Sequence, residues 1–437
     1  MTVVLAHGAG ALSGLPLPRW QFGWGIAVLI VLAFLAVGSM WRRPVLASAA
    51  AGRDLGAVAG RVSGLLGVVA GLVGVVTYVV IVTAGLCGTE FPAANIAPIG
   101  VFITFWLGVA FLSIVVGDVW RALSPFAALA AAGAWLRSRG RPAPESEVDG
   151  ATHWPAVAAV SGFVWLELAY HAPTTPRILG WLGLGYGLVV LAGAARWGRG
   201  WLRTGEGFGV LFSLLAALAP LHRVDGRLRL RWPVAGLGRL EARAGTLPLL
   251  FVVLGAGVFD GVTRTRFWFD LTIERLGWGF TLVNTLGLAW SVGIVALVYL
   301  GVTRLVAALT DGDPDETARH HAAVLVPIVA AFTVAHYFSV LVLEGQGFWF
   351  LVSDPYGEGW DLFGTGASTV DFNLVGPGAI AWVQAVAVAL GHVAAVVVAH
   401  DRAISDLPPR AALRAQYVLL GMIVASSSTA VALLLGT

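Results

Sequence analysis

Gly64-Leu65-Leu66-Gly67-Val68-Val69-Ala70-Gly71-Leu72-Val73-Gly74-Val75-Val76-Thr77-Tyr78-Val79-Val80-Ile81-Val82-Thr83-Ala84-Gly85 carries no charged residue from end to end. A helix rises about 1.5 Å per residue, so this stretch is long enough to cross a bilayer core roughly 30 Å thick. Arg42, Arg43, Arg53 and Arg61 stand in the gap before it, and the gap after it holds no arginine. Nine more apolar stretches occupy residues 22–41, 99–117, 155–171, 178–196, 247–263, 279–300, 322–344, 379–399 and 415–435. Of the 27 basic residues, all arginine, 22 fall in the alternate gaps 42–63, 118–154, 197–246, 301–321 and 400–414, with Arg196 counted at the edge of the third. Only 5 fall elsewhere. Positive charge stays on the cytoplasmic side, because carrying arginine across a membrane is costly. The chain is therefore expected to be an all-α, polytopic integral membrane bundle of about ten transmembrane helices. Its N-terminus and C-terminus are expected to be extracytoplasmic, and its place the cell membrane.

Composition agrees. The chain is 58% hydrophobic and 12% charged, against about 25% charged in a soluble domain. Its 56 glycines let helices approach closely, and its 18 tryptophans suit the headgroup level. A basic balance in a soluble protein would point to nucleic acid; here the loop arginines face anionic lipid, and no nucleic-acid partner is expected. The single cysteine, Cys87, excludes an intramolecular disulfide.

The gaps have structure of their own. Residues 125–136, Ala-rich and ending at a basic cluster, read as an interfacial helix. The long basic gap 197–246 contains a short apolar segment, 207–220, of re-entrant or interfacial length. There follows Arg223-Val224-Asp225-Gly226-Arg227-Leu228-Arg229-Leu230-Arg231, whose alternation around Asp-Gly predicts a hairpin. Residues 140–152, with Pro142 and Pro144, read as a linker. On the outer side, residues 346–378 form an acidic, aromatic loop with no basic residue.

Ionisable groups inside a bilayer cost several kcal/mol, so each needs a partner or a purpose. His336 and Glu344 are eight apart, about 80° around a helix and so on roughly one face. Glu167 and His171 form an i, i+4 pair at the end of the fourth stretch, a spacing that shares a proton or a metal ion. With Asp260 they make a candidate metal set on the outer half of the bundle. Gln384, His392 and His400, each eight apart, make a polar stripe or relay down the ninth helix, every step about 12 Å of rise. Asp354, Glu358 and Asp361 in the outer loop supply the oxygen ligands that hard cations prefer. Asp118 and Arg121 read as a structural pair or cap.

Several motifs resemble those of bacterial and archaeal multi-span membrane proteins known as fenitrothion hydrolases. They are Gly117-Asp118-Val119-Trp120-Arg121, Trp165-Leu166-Glu167-Leu168, Phe259-Asp260-Gly261, His336-Tyr337-Phe338 and Gln346. The most distinctive are Ser353-Asp354-Pro355, Gly359-Trp360-Asp361-Leu362-Phe363-Gly364-Thr365 and Ala399-His400-Asp401-Arg402. The resemblance implies common architecture over most of the chain and hydrolysis of organophosphate triesters. Ala6-His7-Gly8 is similar to the family's segment after a cleaved leader; cleavage there would make His7 a copper-chelating N-terminus.

Two functions follow as expectations. One is a membrane-embedded phosphotriester hydrolase acting on a lipophilic small molecule. In it a divalent transition metal, zinc or copper, held by His336, Glu344, Glu167, His171 and Asp260, would activate water. The alternative is a metal, cation or proton transporter, or an accessory subunit of a membrane complex, using the His336, His392 and His400 stripe.

Overall fold

The computed structural model describes residues 19–138 and 151–435. Ala6-His7-Gly8 and most of the 140–152 linker lie outside the described residues. Ten principal helices run back and forth: α1 (Arg19–Met40), α2 (Gly56–Cys87), α3 (Ile96–Val115), α4 (Trp154–Leu168), α5 (Pro176–Trp197), α6 (Thr246–Thr263), α7 (Gly277–Thr310), α8 (Leu325–Leu343), α9 (Pro377–Asp406) and α10 (Pro409–Leu435). Among the described residues, nine helices are long and apolar enough to cross a membrane. The exception is α4, with 15 residues, about 22 Å long. It corresponds to the fourth predicted stretch but stops at Leu168, and this corrects one expectation. His171 stands beyond the helix, in the turn before α5, so Glu167 and His171 do not share a helical face.

The molecule is built inside out relative to a soluble protein. Along α2, Val58, Leu65, Leu66, Val68 and Leu72 are exposed; along α7, Leu282, Leu286, Trp290 and Leu297. These make the apolar belt that a bilayer would cover. At the centre lies α8, where every residue from Leu325 to Ala331 is buried. It packs along α9 at Gly391, where an added Cβ would lie 2.3 Å from Cβ of Ala331 and 2.7 Å from the carbonyl oxygen of Pro327. Only glycine allows this approach.

The gaps gather at two ends of the bundle. At one end, β1 (Arg53–Asp54) pairs antiparallel with β3 (Arg227–Leu230), which pairs with β2 (Leu221–Val224) in the order β1-β3-β2. The hairpin turns on Asp225 (φ 49°) and Gly226 (φ 75°), the left-handed pair that an Asp-Gly turn supplies. Leu221 N donates to the Val116 carbonyl and His153 N to that of Ala244. Arg402 donates to the Leu237 and Leu240 carbonyls, and His320 Nδ1 lies 3.2 Å from Asp406. All five arginine-rich gaps thus meet at one end. At the other, Thr89 N donates to the Tyr356 carbonyl and Arg177 pairs with Glu90. There too α1 begins and α10 ends, with Gly23 beside Val431.

The segment expected to be re-entrant or interfacial forms the helix Gly207–Ala216, buried against α3 and α4. Its cap is Glu206, whose carboxylate accepts from Phe208 N (3.0 Å), Gly209 N (2.6 Å), Trp120 Nε1 (2.9 Å) and the Tyr186 hydroxyl. Four donors explain how a carboxylate can be buried there. Within α3, Gly100–Gly108 winds as a wider π-helix, a form often found at functional sites.

Candidate functional site

Asp260 lies one turn before the end of α6, and Arg264, the residue that closes the helix, lies four positions on. A cation at a helix C-terminus also complements the macrodipole. His336 and Tyr337 reach the same point from α8. Nε2 of His336 makes direct hydrogen-bond contact with Oδ2 of Asp260. Nη2 of Arg264 lies 3.3 Å from that oxygen and 2.7 Å from Nε2 of His336. The Tyr337 hydroxyl donates to the same carboxylate at 3.4 Å. Both contacts fall on the one nitrogen Nε2, and the guanidinium supplies the charge that balances the carboxylate. The imidazole also stacks on Phe332, ring centres 5.3 Å apart. That stack needs Gly257 on α6, where a Cβ would fall 2.5 Å from the Phe332 ring.

Beside this network lies a cavity of about 30 Å³, room for a water or two. Its walls are mostly aliphatic, with Trp106 of α3, Phe332 and Tyr337 of α8, and Leu211 and Leu215 of the helix Gly207–Ala216. The polar groups on it are few: Glu167 of α4, Thr333 and Tyr337. No hydrogen-bond or ion-pair partner for the Glu167 carboxylate is found among the described residues. The Thr333 hydroxyl donates to the Val329 carbonyl at 2.9 Å, so its oxygen is left to accept.

Of the five residues expected to hold a metal, the fold therefore brings Asp260 and His336 into contact and sets Glu167 on the adjoining cavity. Arg264 takes the place on Asp260 and His336 that an ion would need. The other two stand apart. Nδ1 of His171 is 2.9 Å from the Thr281 hydroxyl, with the ring packed on Tyr170 and Trp278. Glu344 is eight residues beyond His336, about 12 Å along the helix axis. Among the described residues, no group of three or more His, Cys, Asp or Glu side chains could hold a metal ion together.

The polar stripe divides into separate contacts. Nδ1 of His392 donates to the Val388 carbonyl one turn back, at 2.7 Å. His400 bridges Gln416 and the Trp41 carbonyl, each at 2.8 Å, tying α9 to α10 and α1. Asp401 beside it accepts from Trp41 Nε1 and Val45 N. Gln384 is buried on α9. In the outer loop, Asp354 accepts from the backbone of Glu358 and Gly359, and Asp361 from that of Gly366. These carboxylates shape the loop's own turns. Asp118 caps the turn that follows it, accepting from Arg121 N at 3.3 Å.

Arg264, Thr333, Trp106 and Glu206 escaped the sequence reading. Arg264 alone left a signal there, as the i+4 partner of Asp260; the others needed the fold. Comparison with protein-family models, with curated proteins and with solved structures finds no match for this chain, so its resemblance to the fenitrothion hydrolases rests on the motifs alone.

Proposed function

We propose that this chain is a multi-pass protein of the cell membrane, its arginine-rich end cytoplasmic, that exchanges a proton at Glu167 as part of transport. The supporting observation is Glu167 itself, a carboxylate without a partner among the described residues, opening on an apolar cavity inside the bundle. A half-buried carboxylate facing an apolar cavity calls for a bound proton or cation. Tyr337 lines the cavity and its hydroxyl donates to Asp260, so a proton leaving Glu167 has a route to the Asp260–His336–Arg264 network. Arg264 balances the Asp260 carboxylate in that network. Phosphotriester hydrolysis, implied by the family resemblance, gains support from the apolar walls. The cavity volume, however, admits water but not an aryl ester unless the helices part.

Infrared difference spectra of the purified protein between acid and neutral pH test the proposal. The expected result is a carboxylic-acid carbonyl band that disappears in Glu167→Gln. A band untouched by that substitution, or no such band, overturns it.

A further inference from the structure

The register of the small sheet sorts its arginines by whether they are neutralised. Side chains alternate along a strand, and residues paired across antiparallel strands share a face. One face holds the pairs Val224 with Arg227, and Arg229 with His222 and Asp54. On it Arg227 meets the Asp54 carboxylate at 2.8 Å, and Arg229 donates to the Ala51 carbonyl at 3.2 Å. The opposite face carries Arg53, paired with Leu230, and Arg223, paired with Leu228. The Arg53 side chain makes no hydrogen bond or ion pair among the described residues. Arg223 gives only its Nε–H, to the Gly226 carbonyl at 3.4 Å.

The hairpin leans on the start of α2. A Cβ added at Gly60 would fall 3.3 Å from the Gly226 carbonyl oxygen, and one added at Gly64 would fall 3.3 Å from Nη2 of Arg223. Gly64 is eight residues into α2, about 12 Å along its axis. The Arg223 guanidinium is thus carried from the sheet onto the side of the helix. Arg61, three positions before Gly64, neighbours it on the helix surface. It is exposed, and its side chain too makes no hydrogen bond or ion pair among the described residues. Arg53, Arg61 and Arg223 outweigh Asp225 at the hairpin tip, so the patch carries net positive charge. Arg61 also heads an exposed helical stripe at i, i+4, i+7 and i+11, continued by Leu65, Val68 and Leu72. A Cβ at Gly67 beside it would meet nothing within 4 Å, so no other element covers α2 there.

A basic patch that continues directly into an exposed apolar stripe matches a ligand with an anionic head and a hydrocarbon tail. A soluble anion would use the first half alone, and a zwitterionic head would bring a cation against the arginines. We infer that this face of the sheet and the start of α2 bind one anionic phospholipid, its phosphate on Arg61 and Arg223 with Arg53 adding charge, and an acyl chain along Leu65, Val68 and Leu72. The inference stands apart from the exchange proposed at Glu167.

The test uses the full chain, stripped of lipid in a non-ionic detergent. Native mass spectrometry counts the phosphatidylglycerol or phosphatidylcholine molecules bound as each is titrated in. One phosphatidylglycerol is expected to bind first and more tightly than phosphatidylcholine. Each arginine near a lipid headgroup is worth about 5-fold in affinity, so Arg61→Gln with Arg223→Gln should weaken phosphatidylglycerol roughly 10- to 30-fold and leave phosphatidylcholine unchanged. Arg410→Gln with Arg414→Gln removes as much charge from exposed positions at the same end of the bundle and should change neither. Gel filtration checks folding; should the first pair fail it, Arg61→Gln alone is expected to cost about 5-fold. Equal binding of the two lipids, or equal weakening by the control pair, overturns the inference. So does displacement of phosphatidylglycerol by excess inorganic phosphate at matched ionic strength, which would mark a site for the soluble anion.

Discussion

Replacing Arg264 by alanine should be among the most destabilising single changes at an ionisable position in this protein. The side chains of Arg264, Asp260 and His336 are 16%, 7% and 3% exposed, so solvent screens their interaction little. Removing one partner of a buried pair strands the other charge and costs about 3–5 kcal/mol. Arg264→Ala removes the guanidinium counter-charge from the Asp260 carboxylate, and the full penalty is expected. Asp260→Asn combined with Arg264→Gln removes both charges and keeps hydrogen-bonding groups of similar shape, so the double variant should cost less than the sum of the two single ones. A coupling of about 1–3 kcal/mol follows for groups in direct contact. The assay is unfolding of the detergent-purified protein in sodium dodecyl sulfate, followed by tryptophan fluorescence. A cost for Arg264→Ala below about 0.5 kcal/mol, or strict additivity in the double variant, would refute the claim that the guanidinium is the counter-charge of Asp260, since surface-like pairs behave in that way.

Three other outcomes are expected. Gly391→Ala must push α9 from α8, because its Cβ would meet backbone as well as a side chain, and should cost about 1–3 kcal/mol in the same assay; a neutral result would mean the two helices do not pack there. His153, outside the helices, is held neutral with its pKa pushed down to about 4, first by burial and then by Arg243. The unfolded chain binds a proton near 6.5 and the folded one does not, so stability should fall as pH drops from about 6.5 to about 4, by up to roughly 3 kcal/mol. His153→Asn should flatten that slope, and an unchanged slope would remove His153 as its source. Single cysteines at Ser138 and Thr365, in a Cys87-free background, should be labelled by an impermeant reagent in intact cells only at 365; labelling at 138 instead would invert the proposed topology.

What the chain could declare by itself was decided by solvent preference. Uninterrupted apolar runs such as 64–85 must be helical in lipid, because every backbone polar group needs an internal partner, and the same arginine-rich gaps do meet at one end of the bundle. The Asp225-Gly226 turn was equally legible, since its left-handed backbone conformation is local. The fourth stretch was not: the apolar pattern runs on to His171, but α4 ends at Leu168 and the imidazole turns to Thr281 of α7. The site was legible only in its ionisable members. Glu167, Asp260 and His336 stood out as charges or potential charges where lipid forbids them. Which of these would touch depended on contacts between residues 76 positions apart, and periodicity along one helix carries no information about its neighbours. Tertiary packing assigned Arg264 to Asp260 and His336, sent His171 and Glu344 elsewhere, and left Glu167 facing a cavity that no single helix could enclose.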